Sequence, residues 1–259
     1  MGKHKLEKAF AAVLDQGDKA FVPYIMAGDG GLDQLNEQLA FLEEAGATAV
    51  ELGIAFSDPV ADGPTIQAAG LRALEQGVSL RAVLEKLTET KATRQMPIVL
   101  MTYINPIHTY GIEAFAEACA DSGVDGLIIP DLPLEEEGLI VPALQSYDIA
   151  LIRLAALTST EERLAEIGRR TEGFLYAVTV TGTTGVRSSF QENLGEHLEK
   201  LRKQSNAPVL AGFGVSTPDH VKSLTTHCDG VVVGSKIVDA LHKGEREAIR
   251  ELIAAAKSK

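Results

Sequence analysis

Short runs of apolar, often β-branched residues alternate along the chain with longer segments in which apolar side chains recur every three or four positions, as between Leu80 and Leu87. The runs predict buried strands, and the longer segments predict helices with one buried face. Strands that alternate with helices are typical of a parallel sheet. The predicted strands are Ala20–Met26, Thr48–Ile54, Pro97–Tyr103, Asp125–Pro130, Ala150–Ala155, Phe174–Val180, Pro208–Gly212 and Gly230–Gly234.

Eight strands suit a closed barrel, and no linker or low-complexity segment divides the 259 residues. We therefore predict an α/β fold, a (β/α)8 TIM barrel with extra helices, as a single domain over residues 1–259. The extra helices are predicted at Lys3–Gln16 and Thr65–Glu75. An open doubly wound sheet is the alternative, and it would leave two strands as edges.

The formal net charge of −12 argues against nucleic acid or an anionic membrane surface as a partner. No apolar run approaches the length that spans a membrane. The two cysteines, Cys119 and Cys228, lie far apart in the sequence and fit a reducing compartment. These features predict a cytoplasmic protein.

Three carboxylates lie close together in the sequence around the second predicted strand. Glu51 falls inside the strand, where a carboxylate must be neutralised, paired or catalytic. Asp58 and Asp62 follow on a loop, in Asp-Pro and Asp-Gly pairs that also form ordinary turns. The three could together hold Mg²⁺, but nothing else at this end supplies a carboxylate cage, and the six histidines show no ligand spacing. We predict acid/base chemistry and no metal.

Glycine-rich loops follow the last three predicted strands, in Thr181–Gly185, Gly212–Ser216 and Gly234–Lys236. Such loops bring backbone N–H groups and a helix dipole against a phosphate without cationic side chains, and barrels often hold phosphate after strands seven and eight. The alternative is that the glycines only form tight turns and Ser235 only caps a helix. The composition of Gly182–Gln191 predicts a mobile lid, with an ordinary surface loop as the alternative.

The segment Glu51–Gln67, with the pattern Glu-Leu-Gly-x-x-Phe-Ser-Asp-Pro-x-Ala-Asp-Gly-Pro-Thr-Ile-Gln, resembles the signature of the tryptophan synthase alpha chain family, and the likeness extends over nearly the whole sequence. The resemblance implies retro-aldol cleavage of indole-3-glycerol phosphate to indole and glyceraldehyde 3-phosphate, with no cofactor in this chain. It makes Glu51 the general acid/base and Asp62 the carboxylate that meets the indole N–H. It also implies an alpha2beta2 tetramer in which a beta chain carrying pyridoxal phosphate receives the indole.

The same resemblance assigns further residues. Tyr176 would lie beside the substrate, and Thr184 would contact the Asp62 loop. The apolar walls for indole would be Phe21, Leu100 and Leu127, with the alternative that each only fills the barrel. The phosphate would be held by Gly185, Gly214, Gly234 and Ser235. The residues that would face the beta chain are Asp58, Pro59, Asn105, Asp131 and Pro133. The chain departs from the usual family pattern at Gly30, Ala55, Val180 and Thr183, and none of these departures removes a catalytic group.

Two other functions fit parts of the pattern. A barrel isomerase for a phosphorylated sugar would share the phosphate loops and differ in its base. A non-catalytic regulatory subunit would bind ligand and activate a partner, although the presence of both Glu51 and Asp62 disfavours that reading.

Overall fold

The computed structural model describes residues 2–156, 158–178, 187–212 and 214–258, and only the backbone of residues 187–193. Its strands are β1 (Ala20–Met26), β2 (Val50–Gly53), β3 (Ile98–Met101), β4 (Gly126–Ile128), β5 (Ala150–Leu151), β6 (Arg153–Ala156), β7 (Leu175–Val178), β8 (Val209–Gly212) and β9 (Gly230–Val233). Its helices are α1 (Gly2–Asp15), α2 (Leu35–Glu44), α3 (Pro64–Glu75), α4 (Leu80–Thr88), α5 (Ile104–Tyr110), α6 (Ile112–Ser122), α7 (Val141–Ser146), α8 (Glu161–Arg170), α9 (Arg187–Gln204), α10 (Pro218–Thr225), α11 (Ser235–Lys243) and α12 (Arg246–Ala254). Short 3₁₀ helices lie at Leu32–Gln34 and Leu134–Leu139.

The strands form one parallel sheet in the order β5-β4-β3-β2-β1-β9-β8-β7-β6. Its two ends, β5 and β6, are separated in the chain by the single residue Ile152. β5 pairs with β4 and β6 pairs with β7, so this one stretch of chain joins both ends of the sheet. The barrel prediction is confirmed, and the open doubly wound alternative is wrong because no pair of edge strands remains.

The elements form where the sequence pattern places them. In α4, Val83, Leu84 and Leu87 are buried, and the Ser79 side chain caps the helix by accepting the Ala82 N–H at 3.2 Å. α6 ends at Ser122 and is followed by Gly123, whose φ of 76° is readily adopted only by glycine. Both predicted extra helices are present, as α1 and α3. Most strands are shorter than predicted; β2 and β3, for example, lack residues of the predicted strands at both ends.

Side chains alternate between the inside of the barrel and the layer between the strands and the helices. The N-terminal end of the barrel is closed by α1, which inserts Leu6 and Phe10 into the inner core, with the Phe10 ring 5.3 Å from that of Phe174. Lys5 of the same helix lies 3.3 Å from the buried Asp125, just before β4. The open end is therefore the carboxyl end of the strands.

Candidate active site

A cavity of about 350 Å³ opens at the carboxyl end of the barrel. It is lined by residues of strands β1, β2, β3, β7 and β9 and of the loops that follow β2, β8 and β9. The predicted residues that it brings together are Glu51, Asp62, Tyr176, Gly214, Gly234 and Ser235. Barrel enzymes carry their catalytic groups at this end, so the cavity is the candidate active site.

Glu51 projects into this cavity from β2, in register with Tyr24 of β1 and Val99 of β3. Its side chain is buried, and its Oε2 atom has no hydrogen-bond partner among the described residues. Burial, and secondarily the nearby Asp62, raises the pKa of Glu51 to about 8. The Glu51 carboxyl can therefore hold a proton at neutral pH and can also lose it near that pH, as a general acid/base must.

Asp62 lies on the loop that leads from β2 into α3. Burial raises the pKa of Asp62, and a hydrogen bond from the Tyr103 side chain opposes that rise. The preceding residue, Ala61, donates its backbone N–H to the Tyr103 hydroxyl at 3.0 Å. The loop is thus attached to the residues that follow β3.

Two tyrosine rings share the cavity with these carboxylates. Tyr24 lies over Gly53, and a Cβ at position 53 would collide with the Tyr24 hydroxyl. Tyr176 lies in the same way over Gly212. Glycine at these two strand positions therefore makes room for a phenol inside the barrel.

The loops after β8 and β9 reach the cavity through their backbone. Gly214 has a φ of 79°, and Gly234 directly precedes α11, which begins at Ser235. The Gly234 carbonyl accepts the N–H groups of Ile237 and Val238, so the first N–H groups of the helix have no partner within it. This arrangement suits an anion. Thr184 and Gly185, the other residues assigned to this region, lie outside the described residues.

Phe21, Leu100 and Leu127 do not line the cavity, and this prediction is corrected. All three are buried in the layer between the strands and the surrounding helices. The reason is that side chains alternate between the two faces of each strand. Glu51 points into the barrel, and so do Tyr24 and Val99, which lie in register with it. A residue one or three positions away from these along its strand points outward.

The inward positions that the sequence reasoning missed are Tyr24, Met101 and Val232, together with Ile66 from α3. The signal was available in principle, because alternation from Glu51 in the neighbouring strands leads to Tyr24 and Met101. Applying this alternation to neighbouring strands requires their pairing register, which cannot be read from the sequence.

The residues assigned to a partner surface follow β2, β3 and β4, at the same end of the barrel as the cavity. Asp58, Asn105 and Pro133 are exposed, while Pro59 is partly buried. Asp131 is partly buried too, and its carboxylate accepts the Ile104 N–H at 3.0 Å, which links the loop after β4 to the start of α5.

The predicted lid, Gly182–Gln191, falls largely outside what the structure describes. Residues 182–186 are not among the described residues. Residues 187–191 are helical, since α9 begins at Arg187, so this half of the segment is not the loop that its composition predicted.

None of the helices in the described ranges is long and apolar enough to cross a membrane. No group of three or more histidine, cysteine, aspartate or glutamate side chains in those ranges is arranged to hold a metal ion.

The fold and the cavity define a (β/α)8-barrel protein with paired carboxylates at the carboxyl end of its strands. The family model described as "Tryptophan synthase alpha chain" matches residues 10–259. The chain belongs to the tryptophan synthase alpha chain family. The prediction of a lyase that cleaves indole-3-glycerol phosphate is thereby confirmed, and the family implies a beta-chain partner.

Relatives and solved structures agree with this membership. A tryptophan synthase alpha chain of Bacillus cereus is 54% identical over 100% of this chain and 99% of its own length, and that of Oceanobacillus iheyensis is 56% identical over 98% and 97%. Tryptophan synthase subunit alpha from Legionella pneumophila superimposes with a TM-score of 0.88 at 30% identity, covering 97% of this chain and 98% of that one. A chain of tryptophan synthase from M. tuberculosis in an aminoacrylate-bound form gives 0.87 at 31% identity, covering 98% and 99%.

Proposed function

We propose that Glu51 is the general acid/base that cleaves indole-3-glycerol phosphate in this cavity. The observation that carries the proposal is a buried carboxyl with a pKa of about 8 beside a second carboxyl, inside an otherwise mostly apolar cavity. Glu51 delivers its proton to C3 of the indole ring, which turns the ring into a cationic indolenine. It then takes the proton of the glycerol hydroxyl on the carbon bonded to C3. The C–C bond breaks, its electron pair returns to the ring, and indole and glyceraldehyde 3-phosphate leave.

Asp62 serves the same step by charge. Its carboxylate accepts the indole N–H and stabilises the positive charge that forms on the ring after protonation. Burial raises the pKa of Asp62, and the interaction with the Tyr103 side chain supports this role because it opposes that rise and favours the ionised form.

The phosphate end of the substrate fits the glycine loops. Backbone N–H groups near Gly214, Gly234 and Ser235 bind the phosphate, with Gly185 as a further contact. Thr184 contacts the Asp62 loop when substrate is bound. The aromatic end lies between Tyr24 and Tyr176 and against Met101, all of which line the cavity.

Residues of the loops after β2, β3 and β4, around the cavity mouth, form the surface for the beta chain. We assign this surface to Asp58, Pro59, Asn105, Asp131 and Pro133. The functional unit is an alpha2beta2 tetramer in the cytoplasm, with this chain as one domain, no cofactor of its own and pyridoxal phosphate in the beta chain. The common position of these five residues at the cavity mouth supports a route by which indole passes directly to the beta chain.

The test is an indole-release assay with Glu51→Gln. Glutamine has nearly the same shape but cannot transfer the proton, so we expect indole release to fall by at least about 10²-fold, the lower end for general acid–base catalysis. Binding of glycerol 3-phosphate should remain, since the substitution leaves the glycine loops intact.

Glu85→Gln provides the matched control, because Glu85 lies exposed on α4 away from the cavity and should keep full activity. Turnover by Glu51→Gln near that of the wild type would reject the assignment. Activity that persists toward a phosphorylated sugar, with no indole formed, would instead favour the isomerase reading.

A further inference from the structure

Tyr103 connects the carboxylate loop to the barrel. The residue lies between β3 and α5 and directly precedes α5. Its side chain is buried, and its ring lies 5.3 Å from that of Phe56 on the loop after β2. Its hydroxyl accepts the Ala61 N–H at 3.0 Å. We propose that Tyr103 is a positioning residue for Asp62: its hydroxyl accepts from Ala61 and donates to the Asp62 carboxylate, which holds that carboxylate facing the cavity.

The hydrogen-bonding capacity of a phenol supports this assignment. A phenolic oxygen accepts through its lone pairs and donates one proton. The Ala61 N–H takes up the acceptor role, which leaves the proton for an acceptor. Asp62 directly follows Ala61 in the chain, and the Tyr103 side chain lowers the pKa of its carboxyl, so we assign the phenolic proton to Asp62. Burial raises the pKa of Tyr103 to about 12, so the phenol stays protonated and remains a donor at working pH.

The loop otherwise has few anchors near Asp62. Among the described residues, the other hydrogen bonds between Ser57 and Gly63 are local to the loop and to the first turns of α3. They join Ser57 to Asp58, Val60 to Asp58, Asp62 to Pro59, and Gln67 to Asp62 and Gly63. Besides the packing of α3 against β1, the orientation of Asp62 relative to the barrel therefore depends on the Tyr103 hydroxyl and on the Phe56 ring contact.

The titratable and charged groups around Asp62 determine how much the Tyr103 hydroxyl affects its ionisation. While Glu51 of β2 keeps its proton it is neutral, so it does not repel a negative charge on Asp62. Tyr24 of β1 faces both carboxyls as a neutral phenol. Lys236 of α11 lines the same cavity and is paired at 3.9 Å with Glu245. None of these three groups is a cause that lowers the pKa of Asp62, whereas the Tyr103 side chain is. Removing the Tyr103 hydroxyl should therefore favour the protonated form of Asp62.

The experiment uses Tyr103→Phe, which keeps the ring and its contact with Phe56 and removes both hydrogen bonds. The inference rests on the proposed role of Asp62, so two separate readouts are needed. In carboxyl-carbon NMR of the full chain, we expect the titration midpoint of Asp62 to rise by about one pH unit. In the indole-release assay, kcat/KM should fall about tenfold, with its acidic limb moved to higher pH.

A double-mutant comparison shows whether Tyr103 acts through Asp62. In an Asp62→Asn background, Tyr103→Phe should cause almost no further loss of kcat/KM. Tyr110→Phe is the matched control: Tyr110 ends α5, its ring lies 4.5 Å from the Arg81 guanidinium outside the cavity, and its change should move neither readout.

The outcomes separate the two ideas. An unchanged Asp62 midpoint in Tyr103→Phe would overturn the positioning role. A raised midpoint together with full indole release by Asp62→Asn would support the positioning role and overturn the proposed function of Asp62. Equal losses from Tyr103→Phe with and without Asp62 would mean that Tyr103 acts elsewhere, and would also overturn the proposal.

Discussion

At the scale of single residues, Glu51 makes the stability of the fold depend on pH. Its pKa is about 8 in the folded chain and near 4.5 in the unfolded one, so between these values the folded state keeps a proton that the unfolded state has released. The contribution of this group to stability is full below about pH 4.5 and is lost as pH rises to about 8. Glutamine does not titrate. We expect Glu51→Gln to be more stable than the wild type at about pH 8.5, by on the order of several kcal/mol, and to lose most of that advantage at about pH 5.

Urea unfolding at both pH values measures this difference. Glu85→Gln, on the exposed face of α4, should show almost no difference from the wild type at either pH. An advantage of Glu51→Gln that stays the same at both values would mean that Glu51 titrates normally in the folded state, which would also remove the main support for its acid/base role.

The sequence was enough to single out Glu51, because a carboxylate inside an apolar strand has few structural explanations. It was not enough to choose the cavity walls. Phe21, Leu100 and Leu127 are as apolar as Met101 and Val232, and only the register with neighbouring strands tells which residues face inward. Tyr103 was missed for another reason, since its partners are a backbone N–H and a carboxylate on a different loop.

At the scale of elements, the phosphate assignment depends on the close approach of backbone at the loop after β8. Gly214 has a φ of 79°, so valine there would strain the loop and place methyl groups in the cavity. We expect Gly214→Val to weaken glycerol 3-phosphate binding by about tenfold or more, measured by isothermal titration.

Gly244 offers a matched control at the opposite end of α11. Its φ is 73°, and a Cβ at this position would meet nothing within 4 Å. Gly244→Val should therefore carry similar backbone strain and leave the dissociation constant unchanged. The same weakening in both variants would point to strain alone, and an unchanged constant in Gly214→Val would make the loop after β8 a simple turn.

The order and type of the elements followed from periodicity, while their ends did not. β1 matches its predicted bounds, but β4 keeps only three residues of the six predicted for that strand. The predicted strand Ala150–Ala155 is divided at Ile152, where the chain changes its pairing from β4 to β7. Such a change depends on how the barrel closes, which no local pattern contains.

At the scale of the whole molecule, residues that stabilise the fold and residues of the candidate active site lie at opposite ends of the barrel. The N-terminal end is filled by Leu6 and Phe10 of α1, and the carboxyl end holds the carboxylates and the glycine loops. Periodicity predicted α1 as an extra helix but not its place, because a helix with a short apolar face can pack on any exposed apolar surface. The surface that α1 covers, the N-terminal end of the barrel interior, exists only in the closed barrel and is therefore not visible in the local pattern.

This division predicts how a substitution in α1 behaves. Phe10 is 1% exposed and packs against Phe174, so Phe10→Ala should remove about 3–5 kcal/mol from the free energy of unfolding. Leu71 on α3 is 60% exposed, and Leu71→Ala should change stability by less than about 0.5 kcal/mol. Binding of glycerol 3-phosphate, measured below the unfolding transition, should be the same in both variants, because the glycine loops lie at the far end of the barrel. If Phe10→Ala weakened that binding as much as it weakened the fold, the two ends of the barrel would be coupled, and α1 would have to be counted among the elements that shape the site.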